Sequence, residues 1–157
     1  MSTLEQARAN VQKCVDDTMA FFLSDESKSL SFRDFEQNLW ALMLGIGKAF
    51  VLVFLVRRCA TPRPAEYEAD GRMWTLSKAT LTDSLGTLFG VVSWTRPVGR
   101  LSGQLKGLKC DRLVDRELGL CNSFSLGVVE RMCWLLAQMP YADARRMFAK
   151  SHGWSVC

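Results

Sequence analysis

Gly86-Thr87-Leu88-Phe89-Gly90-Val91-Val92-Ser93-Trp94-Thr95-Arg96 is rich in β-branched and aromatic residues. It reads as two short strands around Gly90, or as one strand with a glycine bulge. Ahead of it, Trp74, Leu76, Thr80 and Leu81 form a further short strand. Behind it, Pro97 to Gly107 contains three glycines and reads as loop or hairpin. The sequence on both sides is helical in period. The expected fold is therefore mainly α with a small β-hairpin or sheet insert near 74–101, an α+β class. Residues 1–58 form an N-terminal helical segment, 59–73 a connector, and 74–157 the β element with C-terminal helices.

In residues 3–23, Leu4, Ala7, Val11, Cys14, Val15, Met19 and Phe22 recur at three- and four-residue steps, the period of an amphipathic helix. Ser24 to Ser29 is a polar break. Ser31 with Asp34 resembles a capping box and opens a second helix over Phe32 to Arg58, on the order of 40 Å long. Leu39 to Val56 is an 18-residue, mostly apolar run. That reaches the lower edge of a membrane span. Lys48 in its middle opposes this, at about 2.5–3.5 kcal/mol in a bilayer centre. Gly45 and Gly47 fit a close helix crossing. The helix is expected to be buried in a core or a dimer, with a membrane span as the alternative.

Thr61-Pro62-Arg63-Pro64 breaks the helix. Asp111 to Leu118 reads as a short helix stopped by Gly119. Ser123 is the expected N-cap of a helix from Phe124 to Met139. Tyr141 to Ser151 follows, with Ala144, Met147 and Phe148 inward and Arg145, Arg146 and Lys150 outward, stopped by Gly153. Cys14, Cys133, Trp40 and Trp134 are expected to pack on helical faces. Trp74 and Trp94 are expected in the core, with stacking on bases as the alternative.

The chain has 157 residues, 48% hydrophobic and 23% charged, which excludes disordered and low-complexity classes. Net charge is +4, unevenly spread. Residues 1–56 hold five basic and seven acidic groups, and residues 57–157 hold fifteen and nine. The cations Arg96, Arg100, Lys106, Lys109, Arg112 and Arg116, with Arg145, Arg146 and Lys150, are candidate phosphate contacts; a solvated surface is the alternative. Six cysteines without a Cys-x-x-Cys pair, and no secretory signal, predict reduced thiols in the cytoplasm. His152, the single histidine, is expected exposed at a helix end. No phosphate-binding glycine loop or zinc-ligand spacing is present. No catalytic residue, metal, cofactor or small-molecule substrate is expected.

Several blocks carry a family resemblance. Phe35-Glu36, Leu39, Leu42, Gly47-Lys48-Ala49 and the apolar tail to Leu55 are similar to an FE-x-x-L…LG-[RK]-A-L helix. Gly86 to Val92 with Arg96 is similar to a T-x-FG-x-V-x-x-R strand block. Val114 to Leu120 is similar to L-D-x-x-LGL. Phe124-Ser125, Leu136-Ala137 and Met139 to Ala144 are similar to a following helix and P-F-x-x-A segment. In this order, over about residues 32–157, the blocks resemble the N-terminal part of bacterial DDE transposases of the Kra-type insertion-sequence group. The resemblance implies a DNA-binding, oligomerising region for DNA transposition. It would bind duplex DNA weakly and salt-sensitively, and self-associate through the 32–58 helix.

The family's catalytic Asp, Asp and Glu lie in a downstream RNase-H-like domain, so the chain reads as a truncated fragment without catalysis. The family's Cys-x-x-Cys pair is absent here, where Ser102 to Lys109 precedes a lone Cys110. Tyr141 to Ser151, Gly153 and Ser155 fit the opening of a helix-turn-helix, or equally an ordinary helical hairpin. Two other classes stay open: a helical interaction module without nucleic acid, and a small single-span membrane protein.

Overall fold

A computed structural model describes residues 3–101 and 110–156. The fold is α+β and mainly helical, with one four-stranded antiparallel sheet. Helix α1 spans Leu4–Leu23, α2 Asp25–Ser29 and α3 Phe32–Ala60. Strands β1 (Glu66–Ala69), β2 (Arg72–Thr87), β3 (Gly90–Leu101) and β4 (Cys110–Asp111) follow, then α4 (Leu113–Glu117), α5 (Leu126–Leu136) and α6 (Tyr141–His152).

Local caps set the helix starts. The Thr3 hydroxyl accepts from the Gln6 amide while the Gln6 side chain accepts from the Thr3 amide, a reciprocal box. Ser31 Oγ accepts from the Asp34 amide and donates to its carboxylate. Ser24 ends α1 and caps α2, so the expected polar break holds a helical turn. Helices α1 and α3 run antiparallel: Leu4 and Arg8 meet Phe50 and Arg57 at one end, and Phe21 and Phe22 pack on Phe35 at the other.

The sheet is a meander in the order β1-β2-β3-β4 and is larger than the sequence reading. The expected connector over 59–73 carries the end of α3 and all of β1. Asp70 and Gly71, both at positive φ, turn the chain between β1 and β2, the backbone that an Asp-Gly hairpin turn requires. Leu88 and Phe89 form the turn between β2 and β3, with Thr87 paired to Gly90. The register shifts between Leu76 and Thr80, opposite Pro97. This irregularity lets proline sit inside β3, so Pro97 to Leu101 is strand rather than loop.

One core cluster joins Leu55 of α3, Leu85, Val92 and Trp94 of the sheet, and Val114 of α4. A second joins Val128, Met132 and Leu135 of α5 with Ala144 and Phe148 of α6. Trp74 and Trp94 are buried as expected, whereas Trp40, Trp134 and Cys133 are exposed. Helix α3 departs most from expectation. Ala49 and Leu55 are its buried residues, and 11% of its most apolar 18-residue window is buried. The close approach at Gly47 is made by the Phe89 ring from the hairpin turn, not by another helix.

Candidate nucleic-acid interface

The strand block delivers Arg96 to the inside. Alternate residues of β3 share a face, so Val92, Trp94, Arg96 and Val98 all turn into the core. Arg96 is 2% exposed. Its Nη2 donates to Asp115 Oδ2 at 2.8 Å and to Asp83 Oδ2 at 3.4 Å, and its Nε lies 2.5 Å from Asp115 Oδ1. The guanidinium also sits 4.7 Å from the Trp94 ring centroid. Burial pushes the Asp115 carboxyl above its ordinary range, while Arg96 and Arg112 pull it back. Asp83 is held low, first by the Ser84 amide and then by the two arginines. Arg96 therefore leaves the candidate interface. A lone buried guanidinium would be costly, and two carboxylates within reach resolve that cost internally.

Arg112 and Arg116 are partly spoken for as well. Arg112 lies 3.5 Å from Asp83, and Arg116 pairs with Asp111 and lies 4.0 Å from Asp70. Arg100 is exposed and has no ion-pair partner among the described residues. Lys106 and Lys109 lie outside the described residues. Much of the cationic zone read from Arg96 to Arg116 is thus matched by Asp70, Asp83, Asp111 and Asp115 once the chain folds.

The sequence reading also missed a clasp. Arg63 Nε and Nη2 donate to the two Glu117 oxygens at 3.1 and 2.8 Å, while Arg63 also donates to carbonyls at the end of α3. This fork ties α3 to α4 and holds the Glu117 carboxyl below its ordinary range.

On α6 the reading holds. Ala144 and Phe148 are buried, and Arg145, Arg146 and Lys150 are exposed on the outer side, although Met147 is exposed rather than inward. Arg146 pairs with Asp143 one turn earlier. Ser125, not Ser123, precedes α5, because Ser123 takes positive φ and its carbonyl accepts from the Gly86 amide. Residues 137–140 join α5 to α6. Past Gly153 the chain does not open a further helix: Trp154 folds back on Phe124 and Phe148, and its Nε1 donates to the Thr87 carbonyl at 2.9 Å. His152 is half-buried, 4.4 Å from the Phe148 ring centroid, with Nδ1 2.8 Å from the Leu88 carbonyl. Because a carbonyl can only accept, Nδ1 carries the proton. The histidine ties α6 to the hairpin turn.

No family model, curated protein or solved structure matches the chain. Among the described residues no cluster of three or more His, Cys, Asp or Glu is placed to hold a metal. Beside the α6 cations, the other prominent surface is apolar. Met19, Phe22 and Leu23 of α1 and Phe32, Met43, Phe50 and Phe54 of α3 are exposed. Exposed apolar surface of this extent is a feature of protein or membrane contact sites.

Proposed function

We propose that the chain is a non-catalytic assembly and DNA-associating region of a DDE transposase, acting in the cytoplasm. The reading rests on the order of the resembling blocks and is supported by the exposed cations Arg145, Arg146 and Lys150 of α6; the blocks themselves pack together in the fold. Gly47 of the helix block touches Phe89 of the strand block. Gly86 of the strand block packs under Phe124 of the following block. Arg96 pairs with Asp115 of the L-D-x-x-LGL block, whose Val114, Leu118 and Leu120 join the same core cluster.

In this reading self-association uses the exposed α1–α3 face, and phosphates are neutralised by Arg145, Arg146 and Lys150, with Arg100 as a further candidate. About four phosphate contacts give a salt slope near −3.6 for duplex DNA. An anisotropy titration of labelled duplex at low ionic strength tests it. Arg145→Gln and Arg146→Gln should each flatten the slope by about 0.9. Absence of binding at low salt would end the DNA reading.

The exposed face also favours a second reading, an interaction module without nucleic acid. Light scattering separates the two: a stable oligomer indifferent to DNA selects the second. Helix α3 is long and apolar enough to cross a membrane by length and composition. Crossing would strip Leu55, Val51 and Leu52 from the sheet they pack against. The association face is therefore preferred, and resistance to alkaline carbonate extraction would reverse that preference.

A further inference from the structure

The first half of α3 and the end of α6 enclose an open cleft of about 490 Å³, lined by Arg33, Glu36, Trp40, Leu44, Lys150 and Gly153 among others. That volume is within the range of small-ligand sites. Trp40 is 54% exposed, yet its Nε1 donates to the Ser151 carbonyl at 2.9 Å. An indole anchored by its polar edge and walling an open cleft is a rigid aromatic platform. Arg33 stands two helical turns before Trp40 on the same face of α3, and Lys150 approaches from α6. Glu36 subtracts one charge from the cleft, leaving the cations in excess.

We propose that this cleft is a nucleotide site, in which one unpaired base of single-stranded nucleic acid stacks on Trp40 and its flanking phosphates lie against Arg33 and Lys150. The proposal rests on the DNA-associating reading and narrows it: Arg145 and Arg146 contact duplex, the cleft takes an unpaired strand beside it, and Lys150 stands at the boundary of the two. Stacking on an aromatic face is tolerant of base identity, and paired cations follow the backbone. The cleft walls are mostly apolar, which suits a stacked base, and the cations at its rim suit the flanking phosphates.

The test is anisotropy on the full chain with labelled oligothymidylate of roughly 12 nucleotides, alongside a blunt duplex. Trp40→Ala should weaken single-strand binding about 10-fold or more and leave duplex binding unchanged, while Trp40→Phe retains most of the affinity. Arg33→Gln should flatten the single-strand salt slope by about 0.7 without changing the duplex slope. If Trp40→Ala melts near room temperature, the Arg33→Gln slope decides. Unchanged oligothymidylate binding in Trp40→Ala, or an unchanged slope in Arg33→Gln, overturns the site while persistent duplex binding leaves the DNA reading standing. Binding of neither probe by the wild-type chain overturns both. A change in oligomer mass in Trp40→Ala, with single-strand binding intact, makes the cleft a protein interface and also overturns the proposal.

Discussion

The same substitution, glycine to alanine, should change stability with opposite signs at two positions. At Gly45 in α3 an added Cβ meets nothing within 4 Å. The change there removes backbone freedom from the unfolded chain and raises helix propensity, a gain of about 0.5–1 kcal/mol. At Gly86 in β2 an added Cβ lies 2.6 Å from both Phe124 Cδ1 and Trp154 Cη2. Carbon atoms prefer about 3.5–4.0 Å, so the overlap approaches about 1 Å against two rings.

Neither ring yields easily. Phe124 is held by a reciprocal backbone pair with Cys121, and Trp154 by its bond to the Thr87 carbonyl. The Gly86 backbone is itself clamped, donating to the Ser123 carbonyl at 2.8 Å and accepting from the Ser125 amide at 2.9 Å. Overpacking costs about 1–3 kcal/mol, against about 0.5–1 regained from the backbone. The net is a loss of about 1–2 kcal/mol. For a chain of this size that is a fall of about 2–8 °C in melting temperature, against a rise of about 1–4 °C for Gly45→Ala. Thermal melts followed by circular dichroism at fixed protein concentration read both. In a Trp154→Leu background Gly86→Ala should cost less, because the two sites share a contact. A Gly86→Ala variant as stable as wild type, or a Gly45→Ala variant that melts early, would refute the packing argument.

Arg96→Ala removes the main partner of the partly buried Asp115, leaving it only Arg112 at 3.9 Å, and should cost about 3 kcal/mol in urea unfolding, while duplex affinity per folded molecule stays unchanged. Glu117→Gln breaks the fork with Arg63. Because the folded Glu117 pKa is depressed, its contribution is present above the ordinary glutamate value of about 4.3 and is lost as pH falls through the lower folded value. The melting-temperature gap between wild type and variant should therefore be open at pH 7 and close below about pH 4. Met43→Glu places a charge on the exposed face of α3 and should dissociate any oligomer seen by light scattering without lowering the monomer's melting temperature. An unchanged mass would remove that face from the assembly surface.

The helix starts at Ser31 and Tyr141 and the stop at Gly153 were legible in the sequence, as were the inward Ala144 and Phe148. The start of α5 was misplaced by two residues because Ser123 is consumed in a strand contact rather than a cap. β1 was missed although Asp70-Gly71 carries the local signal for its turn. Strand β3 was cut short at Pro97 because a proline inside a strand is admissible only where the register is irregular, and register is a property of two strands.

The sequence by itself determined the α+β class, the α6 cations and most helix ends, because caps, turns and periodicity act between residues a few positions apart. Tertiary structure alone decided which charges stay available. Arg96 meets Asp83 and Asp115, thirteen and nineteen positions away, and becomes an internal ion pair rather than a surface cation. It also decided that α3 packs against α1 on one side and the sheet on another, and leaves Phe32, Trp40, Phe50 and Phe54 exposed. An apolar period states that a helix has a face to cover, and only the placement of neighbouring elements states how much of it is covered.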